Sequence, residues 1–392
     1  MLRNSPTLLL LAFLVLIPSA VCAGDLLVEK QVFTTTSFET FGGQVIPEVR
    51  VGWESYGTLD EDRGNVILIT HFFSGTSHAA GRYSEDDPEP GYWDSIIGPG
   101  KPVDTDRFFV ISVDTLVNAN VHDPNVITTG PASIDPRTGK PYGMGFPVVT
   151  IRDFVEVQRL LLESLGIAKL HAVIGASMGS FQALEWAVAY PERVERMVSV
   201  IGGARTRAWE IALLESWAEP IRLDPNWRGG DYYEHQPPLA GLTTSMMLLT
   251  LNALHPDFFE MQFGSRRRLD RAGLESMDEG FAVNDWLRER ARGRAEISDA
   301  NHVLYLVRAN QLFVAGHDGD FADALARVRA RTLFLPSAND LLLRPELARE
   351  AHRALAEHGN DTQLDDIEGP MGHLNGVALI QTRAEQLREF LR

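Results

Sequence analysis

The chain is almost without cysteine. Among 392 residues there is one, Cys22, and it falls in a stretch that reads as a leader. Residues 1–23 hold a positive start at Arg3, an apolar run over 8–17, a break at Pro18 and a cleavage point after Ala23. Removing that leader leaves no thiol, which excludes disulfides, a cysteine nucleophile and thiolate metal sites. A chain free of thiols also suits an oxidising compartment, so the expected location is exported, periplasmic or secreted. An uncleaved anchor would need a longer apolar run. Lipidation of Cys22 would need a smaller residue before it than Val21.

Basic residues are scarce as well: 36 Lys and Arg stand against 53 Asp and Glu, a formal net charge of −17. A surface of that sign repels nucleic acid and anionic lipid, so neither is expected as a partner. Beyond the leader no run approaches the roughly 18 uninterrupted apolar residues of a membrane span. No repeat or low-complexity tract marks a solenoid or a disordered tail. The acid-rich loop at 316–323 lacks the glutamate that completes a calcium loop and reads as solvated. No metal and no cofactor is expected.

What is present alternates. Short apolar runs at 65–70, 107–114, 169–175, 194–202, 331–336 and 361–367 read as strands; helical periodicity fills 149–167, 180–190 and 345–359. Strand, helix, strand in sequence predicts a mostly parallel sheet flanked by helices. Between residues 204 and 328 the strand signals stop and four helical segments follow one another. The expected organisation is therefore a leader at 1–23, a core at 24–203, a helical lid inserted at 204–328, and the rest of the core at 329–392.

At the end of the strand 169–175 stands Gly175-Ala176-Ser177-Met178-Gly179. A Gly-x-Ser-x-Gly turn between a strand and a helix presents its serine at the sheet edge, against a helix N-terminus that favours developing negative charge. Ser177 is the expected nucleophile. In this α/β-hydrolase arrangement an acid and then a histidine follow along the chain. Of eleven histidines, His373 alone sits in a Gly- and Pro-punctuated loop after the last strand. Asp340 follows the strand 331–336 directly and is the expected acid, ahead of its alternative as a helix N-cap. The backbone N–H groups of Met178 and of Phe73, in the loop after the strand 65–70, are the expected oxyanion donors.

With these residues placed, the sequence resembles the homoserine O-acetyltransferases of the α/β-hydrolase superfamily over nearly all of the chain after the leader. The stretches that carry this include GYWDSIIGPGKPVDTDRFFVIS, TGPASIDPRTGKPYG, GASMGSFQALEWA, DPNWRGGDY and DANHVLYLVRA. The resemblance implies Ser177, Asp340 and His373 as a triad, an acyl-serine intermediate, and transfer of acetyl from acetyl-CoA to the homoserine hydroxyl. It is also compatible with a homodimer. Three departures stand out. Ala218 occupies the position of an arginine that in the family holds the amino-acid carboxylate, and Arg222 lies a helical turn further on. The stretch before TGPAS is longer and free of glycine. Leu374-Asn375-Gly376 replaces Asp-Ala-Phe after the histidine.

These departures, and a compartment without acetyl-CoA, lead to the expectation of an exported serine hydrolase acting on a small carboxylic ester, thioester or lactone. The alternatives are an O-acyltransferase of the homoserine type and a catalytically silent binding protein on the same scaffold. The leader gives the first prediction. N-terminal sequencing of the protein made in a bacterial host should begin at Gly24, and an intact Met1 would remove the compartment argument.

Overall fold

The computed structural model describes residues 26–264, 277, 281–317 and 321–392. The expected leader at 1–23, with Cys22, lies outside them, as do residues 318–320 of the acid-rich loop. Eight strands form one sheet: β1 (Gln31–Glu39), β2 (Val45–Tyr56), β3 (Val66–Thr70), β4 (Phe109–Val113), β5 (Ala172–Ala176), β6 (Arg196–Val200), β7 (Arg331–Leu335) and β8 (Thr362–Leu364). Their order is β1-β2-β4-β3-β5-β6-β7-β8. β2 runs antiparallel to both neighbours, and every later pairing is parallel.

The central strands show why the apolar runs were legible. All five residues of β3 and all five of β5 are buried, as expected of parallel strands covered on both faces. The sequence reading starts the sheet at residue 65 and omits the hairpin β1–β2. There apolar residues alternate with polar ones: Ile46, Val49 and Val51 turn inward from β2, while β1 is largely exposed. A one-sided antiparallel pair carries only a period of two, a weaker signal than a continuous apolar run.

Helices α1 (Ile151–Ser164) and α2 (Met178–Ala189) are coupled by a Gln158–Gln182 side-chain hydrogen bond of 2.7 Å, and Trp186 Nε1 donates to Gln158 at 2.8 Å. Between β6 and β7 the described residues form four long helices, α3 (Ala208–Leu223), α4 (Leu239–Ala253), α5 (Ala282–Ile297) and α6 (Ala300–Gln311). Helix α7 (Pro345–Glu357) follows β7. Among the described residues no helix is long and apolar enough to cross a membrane.

The topology fixes where a ligand can sit. From β3 the chain moves outward to β4 and then returns to the other side of β3 as β5. Such a switch opens a crevice at the carboxyl ends of the strands. Ser177 follows β5 and Phe73 lies just beyond β3, so the two meet across adjacent strand ends.

A buried charge network ties the segment before β1 to the sheet. Lys30 Nζ lies 2.7 Å from Glu54 on β2 and 3.5 Å from Asp114 just after β4. Burial by itself would raise the Glu54 pKa. The hydrogen bond with His78 and the charge of Lys30 outweigh that and hold it at about 2. Asp114 also accepts from the Ser77 and Ile127 N–H groups at 2.7 and 3.1 Å. One lysine thus serves two buried carboxylates, and removing it leaves Asp114 without a cation and Glu54 with His78 at 3.1 Å alone among the described residues. Lys30→Met should lower stability by about 3–5 kcal/mol, read as a reduced urea midpoint at pH 7. An unchanged midpoint would show that the network contributes nothing.

Candidate active site

Ser177 adopts φ 56° and ψ −121°, a backbone region costing roughly 1–3 kcal/mol for a residue with a Cβ. The flanking glycines are required by close approach. A Cβ on Gly175 would lie 2.1 Å from the Gly179 carbonyl oxygen, and one on Gly179 would lie 2.0 Å from that of Thr70. Any larger residue at either position would push the strand and the helix apart.

The structure brings Ser177, His373 and Asp340 together. His373 Nε2 lies 2.8 Å from Ser177 Oγ, and His373 Nδ1 lies 2.6 Å from Asp340 Oδ2. All three are buried. Asp340 Oδ1 accepts from the Leu342 and Leu343 N–H groups at 2.8 and 3.0 Å. The carboxylate therefore faces the imidazole from a fixed turn, while the N-cap position of α7 is Arg344. With Nδ1–H donated to Asp340, Nε2 is left as the acceptor for the serine proton.

Phe73 and Met178 both sit at this edge. Among the described residues neither N–H donates to another protein group. The peptide that carries the Phe73 N–H is held from its other end. His71 Nδ1–H donates to the Phe72 carbonyl at 2.8 Å, and His71 Nε2 accepts from the Thr115 N–H at 3.1 Å. Asn118 and Asn120 secure the same loop through the Gly75 and Ser74 carbonyls, at 3.0 and 3.1 Å. Sequence reasoning missed these three. His71 directly follows β3, and that position was the available signal.

A cavity of about 640 Å³ opens over Ser177 and His373, lined by Phe73, Leu214 and Trp217 among others. The Phe73 ring meets Trp217 edge-on at 5.5 Å. Ala218 is buried in the core. Arg222 turns outward and pairs with Glu215 and with Glu219, the latter at 2.8 Å. Two guanidinium groups reach the cavity wall from α5, those of Arg290 and Arg294, and neither position carries a signal in the sequence.

The profile of the alpha/beta hydrolase fold matches residues 65–369. Curated relatives 37–39% identical over 84–92% of the chain are named homoserine O-acetyltransferases or O-succinyltransferases. The chain belongs to the homoserine O-acetyltransferase-like family of α/β hydrolases. A homoserine O-succinyltransferase of Halorhodospira halophila is 39% identical over 89% of this chain and 90% of its own. The crystal structure of homoserine O-acetyltransferase from Bacillus anthracis superposes with a TM-score of 0.90 at 38% identity, covering 94% of this α/β hydrolase and 98% of that chain. The crystal structure of esterase E22 has the same TM-score at 58% identity, covering 93% and 100%.

This is an enzyme of the α/β-hydrolase superfamily, and the comparisons correct its expected reaction. The missing arginine at 218 and the expected leader point to an exported ester hydrolase. The curated relatives that match most of the chain are named as acyltransferases instead. The physical reasons are plain. A cavity can draw its cation from another helix, as the place of Arg294 illustrates. A compartment restricts which donor is met, and leaves open which nucleophile resolves an acyl-serine.

His71 yields a pH prediction. Burial holds its pKa down at about 4, against an ordinary 6.5. The unfolded chain takes up that proton near pH 6.5 and the folded one only near pH 4. Its contribution is complete above pH 6.5 and is lost as pH falls through this window, up to on the order of 3 kcal/mol. Urea midpoints of wild type and His71→Gln should differ most at pH 7 and converge toward pH 4. A constant difference would assign the titration elsewhere.

Proposed function

We propose that the enzyme transfers an acyl group from an activated donor, of the thioester type, to the side-chain hydroxyl of homoserine or a closely similar hydroxy amino acid. The observation that carries this reading is the Ser177–His373–Asp340 relay at the floor of the cavity, in a chain whose curated relatives are named for that transfer.

Ser177 Oγ attacks the donor carbonyl as its proton passes to His373 Nε2. Asp340 keeps the ring in the tautomer that can accept that proton, and its charge offsets the imidazolium. The Phe73 and Met178 N–H groups receive the oxyanion. Collapse expels the donor's leaving group, which takes the proton from His373. The acceptor hydroxyl then attacks the acyl-serine and gives its proton to His373 Nε2. That proton returns to Ser177 Oγ as the ester is released. The apolar wall of Phe73, Leu214 and Trp217 limits water at the acyl carbon, so a bound hydroxyl competes well with hydrolysis.

The test is product partition. Purified protein is supplied with acetyl-CoA or p-nitrophenyl acetate, with and without L-homoserine, and the products are read by mass spectrometry. O-Acetylhomoserine should exceed acetate, and Ser177→Ala should lower turnover by roughly 10⁴-fold or more. Acetate release that homoserine leaves unaltered, with either donor, would overturn the reading.

A further inference from the structure

Arg294 occupies an unusual position for a guanidinium. It is half-buried on α5 and lines the cavity that contains Ser177 and His373. Its Nη2 donates to Ser74 Oγ, and its Nη1 to Thr250 Oγ1 at 3.4 Å. Both hydroxyls line the same cavity. They occupy two of the five N–H donors of a guanidinium, and the other three have no protein partner among the described residues.

No carboxylate compensates the charge among the described residues. Glu210, on the same cavity wall, is held by Arg344 at 3.0 Å. Glu289 also borders the cavity but makes no ion pair with Arg294. Arg290, one helical turn earlier and also at the cavity, adds a charge of the same sign. Burial, reinforced by Arg290, lowers the Arg294 pKa to about 10, so the group stays protonated at neutral pH. A partly desolvated cation that bonds only hydroxyls is under-compensated. The ligand chemistry that completes it is a carboxylate, which a guanidinium binds through two parallel N–H···O bonds.

The location relates this charge to the reaction. Ser74 directly follows Phe73, whose N–H is a proposed oxyanion donor. An anion held at Arg294 therefore lies beside the loop that faces the acyl carbon. Arg222, paired on the outer face of α3, has no such access.

We propose that Arg294 is the carboxylate receptor of the cavity, orienting a carboxylate-bearing reactant over Ser177. The inference rests on the acyl-transfer reading for the reactant's identity, which leaves two sources for the same chemistry. One is the carboxylate of the amino-acid acceptor; the other is the distal carboxylate of a succinyl-type acyl group.

The experiment compares wild type with Arg294→Met and Arg294→Lys. Two ratios of kcat/KM are read: L-homoserine over 1,3-propanediol with acetyl-CoA, and succinyl-CoA over acetyl-CoA with 1,3-propanediol. Arg294→Met should reduce one of them by about 10- to 100-fold, and Arg294→Lys should recover part of the loss. A fall in the first ratio assigns the acceptor carboxylate, and a fall in the second the acyl carboxylate. If neither moves, Arg294 only tethers the lid and the proposal is overturned. A third readout needs no transfer at all. L-Homoserine and succinate should protect Ser177 from a fluorophosphonate probe better than their amides do, and Arg294→Met should erase that preference. Should wild type fail to acylate homoserine, the transfer reading falls while this readout still decides the role of Arg294. Equal protection by acids and amides in wild type would overturn it. Circular dichroism spectra and urea midpoints of Arg294→Met and Arg294→Lys that match wild type verify that both variants fold.

Discussion

The backbone of α2 passes so close to the end of β3 that no side chain fits between them at Gly179. Thr70 Oγ1 donates to the Gly179 carbonyl at 2.7 Å and closes the contact. The same approach forces the chain at Ser177 through its positive φ. Because β3 runs on into the loop that carries Phe73, one contact fixes both the serine and the candidate oxyanion donor. The strain at Ser177 is small beside the burial of β3, β5 and α2 around it. It persists because relaxing the turn would require separating the sheet from the helix.

A second layer of constraint is polar and buried. His71 and His302 both act as neutral rings, each accepting a backbone N–H and donating to a backbone carbonyl. His302, on α6, accepts from the Ala132 N–H at 3.1 Å and donates to the Asn118 carbonyl at 2.8 Å. Asn118 in turn secures the loop after β3. The helices inserted between β6 and β7 are thereby connected to the Phe73 peptide through protein hydrogen bonds. Burial lowers the pKa of both rings, so acid acts on this frame from two places at once.

Recognition and chemistry are supplied by different parts of the chain. The relay comes from turns at strand ends, where the backbone fixes each side chain. The cavity wall is shared between loops at the strand ends, which bring Phe73 and Leu342, and the inserted helices, which bring Leu214, Trp217 and Arg294 and whose contributions depend on how they pack. That division explains why an arginine absent at position 218 did not settle the reaction. A cation from α5 can face the same space as one from α3.

Ser177, His373 and Asp340 were legible in the sequence because each is bound to a local signal: a glycine-flanked turn, a loop after the last strand, an acid directly after β7. The parallel strands were legible for a related reason, since burial on both faces writes a continuous apolar run. The hairpin β1–β2 was not, because one-sided burial leaves only alternation. His71 is marked only by its place directly after β3, and Asn118 and Asn120 carry no local mark, since what they hold is set by the spacing of β3 and β4 in the sheet. Arg294 resembles any arginine on a polar helix until α5 is docked against Ser74 and Thr250. The sequence by itself determined the parallel strands, the turn and the order of the candidate triad residues, because those follow from contacts between near neighbours in the chain. Only the tertiary structure decided which charge faces the cavity, because that depends on the rotation of packed helices, which no short stretch of residues specifies.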